Sequence, residues 1–260
     1  MSKVGIIILC HKQADYLQEA VISAIQQAHA EVEIIIACGD NLSAHEARRL
    51  QTIRQEIIVL ENLDRGRSHA MNVAAMSSTG DYILRLDADD ILAPNCVEKM
   101  LSKLPADIVG CDFQEFGTSH RTWSRTWGAL SLAVEKESNG LPCTSLVSRA
   151  LYDQVGGYDV ALFGHEDWAF WIKCLKAGAI VKRVPEPLFY YRRHAGQTLM
   201  VHDAVLTSMI RLLHPDLYDS EEYDSKVVLE ASSEVKAWIR KRADWFPNDS
   251  AALFFERLIK

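Results

Sequence analysis

The sequence predicts an α/β fold, with a mostly parallel central sheet flanked by helices and a C-terminal helical tail. Three observations predict it. Short β-branched runs, beginning with residues 4–9, alternate with segments of helical period, the signature of βαβ units. Those runs are apolar throughout, as strands covered on both faces must be. Polar turns at 9–13, 37–41 and 87–90 follow three of them, and ligands of open α/β sheets bind beyond the carboxyl ends of the strands.

Residues 4–9 form the first strand. Met1, Ser2 and Lys3 before it only faintly imitate a secretory leader, since no small-residue cleavage site follows. After a polar turn at 11–15, residues 16–28 repeat Leu17, Ala20, Val21, Ala24 and Ile25 at helical spacing. Residues 33–38 are a second strand, closed by Gly39-Asp40-Asn41. Ser43 is expected to cap a helix carrying Ala47, Leu50 and Ile53. Residues 56–60 are a third strand, and 67–77 a helix ended by Thr79-Gly80. Residues 82–86 are a fourth strand that runs into Asp87-Ala88-Asp89-Asp90.

After Pro94 the regularity weakens. Residues 108–111 read as a strand, 112–142 as a β excursion or loop, 143–147 as a strand and 149–155 as a helix closed by Gly156-Gly157. Residues 166–177 form a helix with the stripe Trp168, Trp171, Ile172 and Leu175, and Gly178 suits the position after its end. Segments 203–214 and 226–243, and a short one from 249, read as further helices. The expected division is a domain over 1–200 and a helical extension over 201–260 packed on it.

The 260 residues allow one or two domains at roughly 150 residues each. Hydrophobic residues make up 48% and charged residues 24%, which excludes a disordered, collagen-like or coiled-coil chain. A net charge of -7 argues against a nucleic-acid partner, which needs a basic face. The cysteines at 10, 38, 96, 111, 143 and 174 include no C-x-x-C pair, and read as reduced, buried thiols of a cytoplasmic protein. No P-loop, G-x-G-x-x-G or G-x-S-x-G occurs, which disfavours three other enzyme classes of similar coarse fold.

Three strings carry chemistry. Asp87-Ala88-Asp89-Asp90 gathers carboxylates that repel one another unless a cation is present. Their hard oxygens suit Mg2+ or Mn2+, with phosphates completing the shell; an acidic turn capping the next helix is the alternative. Glu166-Asp167 opens a helix, where neighbours diverge by about 100° and so do different jobs; acidic enrichment of a first turn is the bland reading. In Tyr190-Tyr191-Arg192-Arg193-His194 the histidine is a candidate metal or diphosphate contact and the arginines can offset phosphate charge; a solvated basic strand end is the alternative. Arg65, Arg67 and His69 surround Gly66 at a helix start, which can hold an anion. Trp123 and Trp127, with Arg121 and Arg125, are candidates for stacking on sugar faces.

Taken in order, these strings resemble glycosyltransferase family 2, the inverting GT-A enzymes. Residues 4–17 (VGIIILCHKQADYL) are similar to the family's opening strand and turn, and 62–90 to its N-x-G-x-S-x-A-R-N…L-D-x-D-D stretch. Residues 142–159 are similar to the segment ending V-G-G-F-D, 166–178 (EDWAFWIKCLKAG) to E-D-W-x-L-W-x-R-x-x-x-x-G, and 191–194 to Y-R-x-H. The resemblance implies an enzyme that moves a sugar from a nucleotide-diphosphate sugar, UDP-type, to a hydroxyl of a glycan or lipid-linked acceptor in polysaccharide or glycoconjugate synthesis. It implies Mn2+ or Mg2+ held by Asp89, Asp87 and His194, and Asp167 as base with Glu166 orienting groups beside it. The donor would lie over Leu9, Cys10, His11, Cys38, Asp40, Arg67, Asp87, Ala88 and Asp89.

Three departures fall on the nucleobase side: Ala37-Cys38-Gly39-Asp40 where the family often has Asp-Asp-Gly-Ser, Met71 for its arginine, and Leu9 for its proline. Rival readings are a non-catalytic nucleotide or glycan-binding protein and a sugar nucleotidyltransferase. In the tail, Val228, Ala231, Val235 and Trp238 form one stripe. The tail is expected to pack on the catalytic domain, with docking to a second subunit (a homodimer) as the alternative, and Leu253, Phe254, Phe255, Leu258 and Ile259 offer a peripheral membrane contact.

Overall fold

The first strand, β1 (Lys3–Cys10), is buried from Val4 onward in the computed structural model, which describes residues 2–28, 30–124, 130–162, 164–195, 203–214 and 216–218. It lies parallel between β2 (Glu31–Cys38) and β4 (Tyr82–Asp87), and β3 (Ile58–Leu60) joins the free side of β2. The register sets Leu9 beside Asp87 and Cys10 beside Cys38, so the predicted turns share one rim. Alternate residues face opposite layers, as strand geometry requires. Ile6 and Ile8 pack with Leu17, Val21 and Ala47 of α1 (Ala14–Ile25) and α2 (Asn41–Ile53). Ile7 and Leu9 pack with Ala70 and Met71 of α3 (Arg67–Ser77), in a layer that also holds Phe170 and Trp171 of α7 (Glu166–Lys176).

Beyond β4 the sheet continues through β8 (Leu146–Ser148), antiparallel, to β6 (Ile108–Gly117) and β9 (Val181–Arg193), which pair parallel, and ends at β5 (Ile91–Leu92). The order is β3-β2-β1-β4-β8-β6-β9-β5, and β7 (Thr122–Trp123) forms a hairpin on β6. The expected mostly parallel α/β sheet is therefore what the chain adopts.

Several elements differ from the sequence reading. Asp40, not Ser43, caps α2: its carboxylate accepts from the backbone N–H groups of Leu42 and Ser43, and the Ser43 hydroxyl donates to it. The excursion after 111 begins as a continuation of β6, because its partner β9 runs on to Arg193. No strand was expected over 181–189, where Pro185 and Pro187 cannot donate to a ladder. The sheet tolerates them by shifting register between Cys111 and Phe113, which takes up the extra residues of β9 as a bulge. Short helices α4 (Cys96–Leu101) and α5 (Leu132–Glu135) were not expected either. The helix expected over 149–155 is α6 (Arg149–Gln154).

Past the sheet, α8 (Asp203–Leu213) buries Leu206, Met209 and Ile210, and Lys176 pairs with Asp216 at 2.6 Å. Among the described residues no helix is long and apolar enough to cross a membrane. The helices expected over 226–243 and from 249, the stripe from Val228 and the terminal apolar residues lie outside the described residues, as do Arg125 and Trp127.

Candidate active site

Arg85 sits in β4 among Ile83, Leu84 and Leu86, and only 3% of it is exposed. A guanidinium cannot be neutralised by losing its proton, so burial there requires carboxylate partners. Its Nε donates to Asp87 Oδ1 at 3.0 Å, and its Nη1 lies 3.1 Å from Glu166 Oε1. Arg67, the first residue of α3, reaches the same Glu166 oxygen at 3.2 Å. Asp87, Arg85, Glu166 and Arg67 thus form one ion network joining the end of β4 to the start of α7.

The network lines a cavity of about 320 Å³ that also holds Asp167, Asn139 and Cys143. The two acids of the Glu166-Asp167 pair are shifted in opposite directions. Burial would raise the Glu166 pKa, but Arg67 and Arg85 outweigh it and hold the carboxylate ionised below its usual range. Burial pushes the neighbouring Asp167 up, and the Glu166 charge adds to that. Asp167 Oδ2 accepts a hydrogen bond from Asn139 Nδ2 at 3.0 Å. A carboxylate raised in this way and facing a cavity is suited to take a proton, whereas one gripped by two arginines is not.

Asp89 lies next to the network. Its Oδ2 is 3.1 Å from His194 Nε2 and accepts from Gln13 Nε2 at 2.6 Å. Burial and the Asp87 charge raise its pKa, offset in part by His194. The structure therefore brings Asp89 and His194 together, while Asp87 turns towards Arg85. Among the described residues no three His, Cys, Asp or Glu side chains converge on one point. The two that meet provide one hard oxygen and one imidazole nitrogen. That set fits a cation which takes its remaining ligands from a diphosphate and water.

Arg192 holds this turn rather than facing the cavity. Its Nε donates to the Asp89 carbonyl at 2.7 Å and its backbone N–H to Asp90 Oδ1 at 2.9 Å. Its guanidinium lies 4.5 Å and 4.4 Å from the ring centres of Tyr16 and Phe116. Arg193 does line the cavity, with its Nε 2.9 Å from Glu115 Oε1.

The remaining expected donor residues lie along the rim of β1 and β2. Leu9, Cys10, Cys38 and Ala88 have buried side chains, so only their backbone can meet a ligand. Burial pushes the Cys10 thiol up to about 11 and the Cys38 thiol to about 12, so both are neutral. Asp40 is occupied as the α2 cap and also accepts the Lys12 N–H at 2.7 Å; His11 stands 3.7 Å from it. Arg67 lies in the cavity beside Glu166 rather than at this rim, and Met71 is core.

Sequence reasoning missed Arg85, Gln13 and Asn139. Only Arg85 left a signal: a charged residue inside an otherwise apolar strand needs a buried counter-charge. Gln13 immediately precedes α1 and Asn139 lies in the irregular segment after α5, where polar residues are ordinary.

Residues 5–163, more than half of the chain, match the model of glycosyl transferase family 2. YwdF of Bacillus subtilis, an uncharacterized glycosyltransferase, is 29% identical over 70% of this chain and 71% of its own. WfaP of Escherichia coli, a UDP-Glc:α-D-GlcNAc-diphosphoundecaprenol β-1,3-glucosyltransferase, is 25% identical over 75% of this chain and 79% of its own. Among solved structures, S. aureus TarS 1-349 with UDP-GlcNAc superposes with a TM-score of 0.67 at 16% identity, over 94% of this chain and 80% of that one. The mannosyltransferase PcManGT of Pyrobaculum calidifontis, with GDP-Man and Mn2+, gives 0.61 at 15%, over 98% and 84%. The fold is that of the GT-A glycosyltransferases, and the chain belongs to glycosyl transferase family 2.

Proposed function

We propose that this family 2 glycosyltransferase moves a sugar from a nucleotide-diphosphate sugar, UDP-type, to a hydroxyl of a glycan or lipid-linked acceptor, with inversion at the anomeric carbon. One observation carries the reading. Asp87 and Asp167 line the same cavity, and Arg85 and Glu166 couple the elements that present them. The UDP-sugar named for TarS and the lipid diphosphate acceptor named for WfaP support the substrate classes.

A sugar hydroxyl is a poor nucleophile until a base removes its proton. Asp167 takes that proton; its raised affinity for it suits the task, and Asn139 fixes the direction of the accepting oxygen. Glu166 remains ionised between Arg67 and Arg85 and keeps the start of α7 against β4. Asp87, pinned by Arg85, faces the donor. Attack from the side opposite the departing diphosphate displaces it in one step and inverts the sugar carbon. A divalent cation, held by Asp89 and His194, would stabilise the charge gathering on that diphosphate, and the Mn2+ named for the Pyrobaculum structure supports one.

The test is transfer from a panel of UDP-sugars to lipid-linked and free glycans. Asp167→Asn should lower kcat by about 10²–10⁴-fold with the melting temperature preserved. Undiminished turnover would remove Asp167 as the base.

A further inference from the structure

The donor rim lies on β1 and β2, at one side of β4, whereas β6, β7 and β9 lie at the other side, across β8. That second side gives the cavity an aromatic wall of Phe113, Trp123, Phe189 and Tyr191. Trp123 is 40% exposed. Its indole lies nearly parallel to the Phe113 ring, 5.8 Å away at 19°, so one face is backed and the other is open. Phe113 is braced in turn by Phe189 at 5.1 Å and Tyr191 at 5.7 Å.

The orientation of the indole is also fixed at its edge. Trp123 Nε1–H donates to Glu115 Oε1 at 3.0 Å, and Glu115 is 2% exposed and paired with Arg193. Holding a buried carboxylate costs free energy unless its partners are well placed, and here the partners include the indole N–H. A flat, rigid, half-open aromatic face matches the apolar C–H face of a pyranose ring, whose rim hydroxyls point outward.

The charge of the wall narrows the class of sugar. Arg193 faces Glu115, Arg85 faces Asp87 and Arg67 faces Glu166. In the deprotonated form that a base needs, Asp167 is then a fourth carboxylate against three arginines among the cavity residues. A sugar acid would add another negative charge beside it, in a site where burial strengthens repulsion.

Building on the donor-and-acceptor reading above, we propose that Trp123, backed by Phe113 and pinned by Glu115, is the acceptor platform, and that it accepts an uncharged pyranose. The experiment is saturation-transfer NMR on the full chain with N-acetylglucosamine, cellobiose and diacetylchitobiose as neutral probes and glucuronate as the anionic one. Thermal shift with UDP and Mn2+ is run in parallel. At least one neutral probe should bind, Trp123→Ala should weaken it about tenfold or more, and Trp123→Phe should keep most of the affinity. Glucuronate should bind about tenfold more weakly than the neutral probes.

Equal binding to the Trp123→Ala variant, equal or tighter binding of glucuronate, or no neutral probe binding at all would each overturn the proposal. The UDP response separates the two readings. Trp123-dependent sugar binding without a UDP response would leave the platform standing and remove the donor assignment. A UDP response without Trp123-dependent sugar binding would do the reverse.

Discussion

At the scale of single residues, the site depends on pushing the proton affinities of two adjacent carboxylates in opposite directions. Glu166 is ionised because two arginines face it, and its charge is one of the forces that raise Asp167. Glu166→Gln removes that charge and frees Arg67 and Arg85 to act on Asp167 instead. Both changes favour the ionised form of Asp167 and lower its pKa. A base works when deprotonated, so kcat falls as the pH drops through its pKa. The acidic limb of the pH–kcat profile should therefore move to lower pH in Glu166→Gln, with a lower plateau because the network is broken. A limb that stays in place or moves upward would show that Glu166 does not set the state of Asp167. Of these residues, Glu166 and Asp167 were legible as a motif with two different jobs, but the electrostatics that separate them were not. They depend on Arg85, which is 81 positions away in sequence and meets α7 only once the sheet has formed.

At the scale of elements, each strand of the first half ends in a turn that is also the start of something else. Asp40 ends β2 and caps α2 in one step, and it takes the Lys12 N–H from the turn after β1. Burial opposes its charge, but the hydrogen bonds from Ser43 and Lys12 win and lower its pKa. A folded pKa below the unfolded value adds stability at neutral pH, and that contribution is lost as the pH falls through the folded value. Asp40→Ala should therefore cost about 1–2 kcal/mol at pH 7 by urea unfolding, and the gap to the parent protein should narrow on acidification. A gap that does not change with pH would mean that capping by the carboxylate is not what Asp40 contributes. The helices α1, α2 and α7 were legible because their apolar residues recur at helical spacing. Strand β9 was not, because Pro185 and Pro187 argue against a strand, and the bulge that accommodates them is a property of the pair with β6.

At the scale of the whole molecule, the strand order sets the expected ligands side by side. The rim of β1 and β2 comes first, Asp87 and Arg85 of β4 lie at the centre, and the aromatic wall on β6 and β7 follows. A ligand that binds the native state must raise its stability. UDP with Mn2+, at about a hundredfold excess over Kd, should raise Tm by roughly 5–10 °C. Asp89→Asn should lose the part of the rise that depends on manganese while retaining its own unliganded Tm. An equal manganese response in that variant would take Asp89 out of the cation site. The sequence by itself determined the class of fold, the family and the acidic strings, because these follow from local periodicity and from motifs short enough to read along the chain. Only the tertiary structure decided that Asp89 meets His194 while Asp87 turns to Arg85, and that Asp167 rather than Glu166 is raised. Those outcomes depend on which charges are brought within a few ångströms where burial strips away much of their water. Burial and separation are properties of the packed sheet and helices, and no local stretch of residues encodes them.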